Sequence, residues 1–200
     1  MPVRHDEREY RGMSAMTAVV PEGEEKSYRA HGYATTFDVP YMLFERNGVK
    51  YYEVIDSRAL DDADMSDVIM QYDHRGRVLA RTSNGSLKLT TDAHGLMVDA
   101  DLSMSSAARE LHEDIHAQLV TRMSWGFKVR EESYDNQTHT RTITKISKVY
   151  DVSAVSVPAN DDTEISARSY VDGVIERTRA ERLLRRRRIL QLMIDTETEE

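Results

Sequence analysis

The chain has 200 residues, of which 40% are hydrophobic and 31% charged, so it is long enough for one globular domain with its own core. Its net charge of -8 argues against a general nucleic-acid binder, because phosphate binding needs a clustered positive field. Cysteine is absent, which excludes disulfides, a thiol nucleophile and Cys-ligated zinc. We find no apolar signal region and no run of about 20 apolar residues, and therefore expect a soluble intracellular protein without a membrane partner.

Composition divides the chain into three zones. Residues 1–28 are polar and charge-rich without a sustained period, and we interpret them as a flexible N-terminal arm. Residues 29–168 carry most of the turn and strand signals and are expected to form the folded domain. Residues 169–200 predict an amphipathic helix with an arginine-rich middle and an acidic end. This helix is either solvated, with local charge pairs, or a segment that docks on an acidic partner.

The clearest strands of the folded domain form a predicted hairpin. Residues 96–103 place an apolar side chain at every second position, which is the pattern of a half-buried strand. The segment SLKLTTD precedes it and supplies the partner strand. Residues 92–95 form the turn between them, and Gly95 can take a positive φ there.

A helix and two further strands are predicted next. Ser105 or Ser106 can cap the helix, and apolar residues then recur on one face: Ala108, Leu111, Ile115 and Leu119. In the following strand Ser124 lies on the face opposite the bulky residues, and Trp125 and Phe127 are expected in the core. After a polar turn at 135–137, the segment VYDVSAVSVP is a candidate buried strand.

The helix contains one literal match to a metal-binding motif. His112, Glu113 and His116 fit H-E-x-x-H, in which two histidines one helical turn apart bind zinc and the glutamate activates water. The motif fixes only three residues, and no downstream histidine supplies a third ligand at a recognisable spacing. We therefore interpret both histidines as surface residues on an amphipathic helix and expect no metal.

A second set of reactive residues is spread over the domain. His74 follows an apolar run and precedes a polar turn with Gly76, Ser124 lies in RMSWGFKV, and Asp151 lies in VYDVSAVSV. A serine hydroxyl needs an imidazole to take its proton, and the imidazole needs an acceptor that fixes its tautomer. On spacing alone, however, a structural histidine and a buried serine are the favoured interpretation.

The order and wording of several segments add to this pattern. They are HGYATTFDVP, the Asp-His segment with LART and SLKLTTDAHGLMVDADL, the helix SSAARELHEDI, MSWGFKV and YDVSAVSVPAND. In this order they resemble the prohead (procapsid maturation) serine protease family of tailed bacteriophages, over residues 30 to 168. The resemblance implies an α+β fold with a mainly antiparallel, β-barrel-like core surrounded by helices, as in the related herpesvirus assemblins.

The resemblance also implies roles for individual residues. His74 matches the histidine of the Asp-His segment, Ser124 the serine of the M-S-[FW]-G-F block, and Asp151 the acidic residue of the Y-[ED]-V-S segment. These three are the expected catalytic residues of a serine endopeptidase that needs no cofactor. His139 lies in a polar turn and fits the third role less well, and Arg81 of LART is a candidate for electrostatic support.

The function implied by the resemblance is procapsid maturation. The expected substrates are a scaffolding protein, or the scaffolding region of the major capsid protein, inside the procapsid in the host cell cytoplasm. Self-cleavage is expected in the tails 1–28 and 169–200, and dimerisation is expected by analogy with the assemblins. Two alternatives remain, namely a non-catalytic assembly or scaffolding module and an HExxH zinc peptidase that a chelator would inhibit.

Overall fold

A computed structural model of the chain describes residues 8–19, 27–156 and 180–189. Helix α1, Ser106–His116, packs on strands of a large sheet, and residues 180–189 are also helical, with exposed side chains. The strands are β1 Glu9–Val19, β2 Arg29–Thr36, β3 Tyr41–Arg46, β4 Val49–Ile55, β5 Ile69–Tyr72, β6 Arg75–Arg81, β7 Leu87–Thr91, β8 Gly95–Asp101, β9 Arg122–Asp135 and β10 Thr140–Val155. None of the helices in these ranges has the length and apolar character that a bilayer span requires.

The long strand β10 organises the sheet. It pairs antiparallel with β9, parallel with β4 along its first part, and parallel with β5 along its last part. The full order is β3-β4-β10-β9-β1-β2-β8-β7, with the hairpin β5-β6 attached beside β10. A mainly β fold with a packed helix is broadly consistent with the predicted α+β class. The predicted barrel-like closure is not confirmed, because in the described residues the two end strands, β3 and β7, do not pair with each other.

Strands β9 and β10 form the buried centre of the sheet. Residues 123–127 of β9 are all buried, although Ser124 and Gly126 alternate with much larger side chains. Trp125 and Phe127 stack with 4.2 Å between ring centroids, which confirms their predicted place in the core. The segments ITKIS and VYDVSAV, which the sequence pattern separates, belong to the single strand β10.

The predicted hairpin of β7 and β8 is confirmed by its antiparallel register. Gly95 does not have a positive φ, so that detail of the prediction is wrong. Glycine is needed there for another reason, because a Cβ would lie 2.0 Å from the carbonyl oxygen of Thr35 on β2. A bulge between Tyr33 and Thr35 accompanies this close approach of the two backbones.

Helix α1 begins as the sequence predicts, since the Ser105 hydroxyl accepts a hydrogen bond from the backbone N–H of Ala108 at 3.2 Å. The prediction that both motif histidines lie on the surface is wrong for His112, which is buried. Burial and the nearby charge of His116 lower the pKa of His112. Leu119 lies beyond the end of the helix and is 72% exposed, contrary to its predicted place on the buried face.

Strand β1 is the main departure from the predicted organisation. The composition of residues 1–28 predicts a flexible arm, whereas residues 9–19 form β1 between β9 and β2. In this register Tyr10 lies opposite Gly126 and Gly12 opposite Ser124, and a bulge follows Gly12. Most of the rest of the predicted arm lies outside the described residues, as do both ends of the predicted C-terminal helix.

Five charged side chains tie β1 to strands β4, β9 and β10, and we call them the buried ion network: Glu9, Arg11, Glu53, Glu132 and Arg141. Arg11 donates to Glu53 at 2.6 and 2.8 Å, and to Glu9 at 2.6 Å. Arg141 donates to Glu9 at 2.6 Å, to Glu132 at 2.7 Å and to Glu53 at 2.9 Å. Both guanidinium groups are nearly inaccessible, with 1% and 2% exposure.

At Glu9, attraction by the two arginines of the buried ion network outweighs the cost of burying the carboxylate. Burial by itself raises the pKa of this carboxyl group, but the charge of Arg11 and the hydrogen bonds from Arg141 outweigh it and lower the pKa to about 2. Because a buried charge without its partner is costly, the network fixes the position of β1.

Candidate active site

His74 lies at the tip of the hairpin between β5 and β6. Tyr72 pairs with Arg75, so Asp73 and His74 are the central residues of a two-residue turn. Both are left-handed, with φ of 48° and 56°. This conformation is uncommon for residues other than glycine, and such residues cluster at functional sites. The sequence predicts a turn that follows His74, whereas His74 lies within the turn.

Asp73 fixes this turn to the end of β10. Its backbone N–H donates to the carbonyl oxygen of Ala154 at 2.9 Å. Its carboxylate accepts hydrogen bonds from the Ser156 N–H and from the Ser156 hydroxyl, both at 3.0 Å. The residue next to His74 therefore faces away from it and anchors the turn.

The side chains of Ser124, His74 and Asp151 form a hydrogen-bonded triad. The Ser124 Oγ lies 2.7 Å from Nε2 of His74, and Nδ1 of His74 makes a hydrogen bond with Oδ2 of Asp151. An ionised carboxylate can only accept, which requires the proton on Nδ1; in a neutral imidazole of that tautomer, Nε2 is the nitrogen that can accept the serine proton. Ser124 is fully buried and Asp151 is 1% exposed, whereas the side chain of His74 is 14% exposed.

The pairing of the strands explains how residues so distant in sequence meet. Ser124 lies on β9 and Asp151 on the neighbouring β10, where Ser153 is the residue opposite Ser124. The hairpin that carries His74 is joined to the same end of β10, since Tyr72 pairs with Ala154. Two central strands and one hairpin thus hold the triad.

The carboxylate of Asp151 has two different environments. Oδ2, which contacts His74, also accepts a hydrogen bond from the Ser153 hydroxyl at 3.0 Å. Oδ1 is buried without a hydrogen bond in the described residues, and Nη1 of Arg8 lies 3.5 Å from it. Gly126 makes room for this oxygen, because a Cβ at that position would lie 2.5 Å from Oδ1.

In chemical terms, this arrangement can activate a hydroxyl group. A neutral imidazole can take the proton of Ser124, and the adjacent carboxylate of Asp151 can stabilise the imidazolium that forms. The triad therefore contains, in one hydrogen-bonded chain, the three kinds of group that such chemistry requires.

The other residues singled out by the sequence lie elsewhere. Nδ1 of His139 contacts the Tyr134 hydroxyl at 3.4 Å, in the turn at the far end of β10. Arg81 makes two hydrogen bonds to Asp67 at the surface, at 2.6 and 2.7 Å, instead of supporting the triad. Within the ranges that the structure describes, no three His, Asp or Glu side chains are grouped as a metal site would require, around His112 or anywhere else.

Several residues around the triad were missed by the sequence analysis. Gly126 in the MSWGF block carried a usable signal, because glycine inside a strand often marks a close approach. Ser153 has the spacing that places it on the same face of β10 as Asp151. Tyr10 and Arg8 had no signal, since they lie in the segment interpreted as an arm.

Of the comparisons with known proteins, one gives a significant match, to a family model. Neither the curated proteins nor the solved structures contain a significant match to this chain. A family model described as caudovirus prohead serine protease matches residues 16–175, which is most of the chain and includes all three residues of the triad. This match agrees with the resemblance seen in the sequence, and the chain therefore belongs to the caudovirus prohead serine protease family.

Proposed function

We propose that the chain is a serine endopeptidase that matures phage procapsids, with Ser124 as nucleophile, His74 as general base and Asp151 as the residue that orients His74. Membership of the family implies a serine peptidase with a role in capsid maturation. The observation that carries the assignment of individual residues is the hydrogen-bonded triad from Ser124 through His74 to Asp151.

The proposed reaction has two halves. Nε2 of His74 takes the hydroxyl proton while Oγ of Ser124 attacks the peptide carbonyl carbon. The imidazolium then gives this proton to the leaving amine, which leaves an acyl-enzyme. Water next gives a proton to Nε2 and attacks the ester, and the same proton returns to Oγ when the acid product departs.

The tetrahedral intermediate needs hydrogen-bond donors for its oxyanion. Backbone N–H groups near Ser124, or at Arg75 and Gly76 beside the histidine, are the candidates. Ser124 is fully buried in this structure, so a substrate carbonyl reaches it only after the groups that cover it have moved. A small reagent is therefore a better first probe than a folded protein substrate.

The proposed substrates are the scaffolding protein or the scaffolding region of the major capsid protein, cleaved inside the procapsid in the host cytoplasm. Self-cleavage in the tails belongs to the same proposal. The position of β1 limits where this can happen at the N-terminal side. A cut before residue 8 spares the described sheet, whereas a cut between β1 and β2 leaves β1 attached only by non-covalent contacts.

The test combines processing with chemical labelling. The chain is co-expressed with its major capsid protein and both are followed by intact mass, and the purified chain is treated with a fluorophosphonate probe. Ser124→Ala should abolish processing and labelling, because the hydroxyl that forms the acyl or phosphonyl bond is gone. Ser86→Ala removes another buried serine, outside the triad, and should leave both unchanged.

The possible results separate the three functions. Processing that persists in Ser124→Ala but stops with EDTA would contradict the serine mechanism and favour zinc at His112, Glu113 and His116. Absence of labelling and of processing in every sample would favour a non-catalytic assembly role.

The anchor at Asp73 provides a further prediction. Asp73→Ala should slow fluorophosphonate labelling roughly tenfold, because the turn loses its bonds to Ser156 and alanine disfavours the left-handed conformation. Asp73→Asn keeps an acceptor oxygen and tolerates that conformation, so it should stay within about threefold of the wild type. Equal labelling rates for the alanine variant and the wild type would contradict the role of this anchor.

A further inference from the structure

The ring of Tyr10 lies against the imidazole of His74. The two ring centroids are 4.4 Å apart and the planes meet at 62°, which is an edge-to-face contact. We propose that Tyr10 is a positioning residue: its ring holds the imidazole in the plane in which Nδ1 faces Asp151 and Nε2 faces Ser124. This inference rests on the proposed function, since it concerns how the same triad is held during the reaction.

His74 needs such support because of where it lies. It occupies the tip of a two-residue turn, and the torsion that rotates an imidazole ring is soft. Its hydrogen bonds to Asp151 and Ser124 orient the ring while both are made. When the serine oxygen bonds to the substrate carbonyl, the bond to Nε2 changes partner, whereas the contact with Tyr10 involves the face and edge of the rings and does not require that bond.

Tyr10 is itself held from two sides. Behind it lies Gly126, where a Cβ would come within 2.8 Å of Cε1 of the Tyr10 ring. At its other end the Tyr10 hydroxyl accepts a hydrogen bond from Nη1 of Arg8 at 3.2 Å. The guanidinium of Arg8 also lies 4.0 Å above the ring of Tyr150 and 3.5 Å from Oδ1 of Asp151. Arg8 thus links the tyrosine to the third residue of the triad.

The buried ion network fixes the register of this segment. Side chains alternate along a strand, so Glu9 and Arg11 point away from the face that carries Tyr10. A slip of β1 by one residue would withdraw Arg11 from Glu53 and move Tyr10 away from His74. The ion pairs on one face of β1 therefore determine which residue of β1 contacts His74 on the opposite face.

The test uses substitutions that separate ring contact from packing. Tyr10→Leu keeps an apolar side chain but removes the ring, and should slow fluorophosphonate labelling roughly tenfold while the unfolding midpoint changes little. Tyr10→Phe keeps the ring and should label within about twofold of the wild type. Tyr28→Leu is the matched control, because Tyr28 makes a similar edge-to-face contact with His112, at 5.3 Å and outside the triad.

A second measurement does not depend on activity. At 4.4 Å the ring current of Tyr10 should displace the imidazole proton resonances of His74, and this displacement should vanish in Tyr10→Leu and remain in Tyr10→Phe. Slow labelling in Tyr10→Leu alone, together with the lost displacement, supports the inference. Wild-type labelling in a folded Tyr10→Leu, or an equal loss in Tyr10→Phe, overturns it. If the wild-type chain does not label, the peptidase proposal fails, and the His74 resonances alone then decide whether Tyr10 holds the ring.

Discussion

Replacing Gly126 with alanine is expected to slow the reaction of Ser124 with a fluorophosphonate at least a hundredfold in a chain that still folds. The added Cβ would lie 2.5 Å from Oδ1 of Asp151 and 2.8 Å from the ring of Tyr10. Both neighbours would have to move, and both contact His74. Displacements of about 1 Å in a catalytic arrangement cost on the order of a hundredfold in rate.

Gly95→Ala is the matched control for this substitution. A Cβ at Gly95 is even more crowded, at 2.0 Å from the backbone oxygen of Thr35, but it lies away from the triad on β8. We expect a lower unfolding midpoint, with a normal labelling rate per folded molecule. The interpretation of Gly126 would be wrong if Gly126→Ala labelled at the wild-type rate, or if Gly95→Ala lost labelling to the same extent while folded.

The second large effect is expected at Arg141 in the buried ion network. Arg141→Met keeps most of the apolar stem of the side chain but removes one of the two positive charges of the network. The three carboxylates, those of Glu9, Glu53 and Glu132, are then left with the single guanidinium of Arg11. Breaking a buried ion pair costs about 3–5 kcal/mol, a large part of the stability of an ordinary domain. The measurement is the free energy of unfolding in urea.

Arg81→Met provides the comparison at the surface. Arg81 also makes two hydrogen bonds to one carboxylate, that of Asp67, but both side chains are 44% exposed. Water screens the charges of an exposed pair, so it contributes little to stability and this variant should unfold close to the wild type. Similar losses for the two variants would contradict the importance assigned to burial.

The effect of Arg141→Met should also depend on pH. The pKa of Glu9 is lowered from 4.5 to about 2, so its charged form stabilises the fold above about pH 4.5, and this contribution is lost as the pH falls towards 2. The variant lacks part of the interaction that lowers this pKa. The difference in unfolding free energy between wild type and variant is therefore expected to be largest above pH 4.5 and to shrink in acid.

Sequence patterns predicted the elements that are determined by residues close together along the chain. The hairpin β7-β8 follows from alternation, and the start of α1 follows from the capping serine Ser105. The buried pair Trp125 and Phe127 follows from its spacing along β9. In each case the residues that decide the structure lie within a few positions of one another.

What escaped prediction depends on partners distant in sequence. Strand β1 contains Arg11, which is buried, and Glu9, which is partly buried. Charged residues at these positions indicate an exposed segment until their ion partners Glu53 and Arg141 are known. His112 resembles a surface residue for the same reason. The resemblance to the family pointed to His74, Ser124 and Asp151, but no pattern showed that the histidine lies within a left-handed turn or that β1 lies against it.

The central position of β1 has a consequence for the order of synthesis. A ribosome makes β1 before the other strands, yet one partner of β1 is β9, which comes more than 100 residues later along the chain. Its ion partner Arg141 and the triad residue Asp151 are made later still, on β10. Because contacts form only after both partners have emerged, the triad cannot assemble on a partly made chain. A nascent chain with this topology can therefore bring Ser124, His74 and Asp151 together only after translation has passed the end of β10.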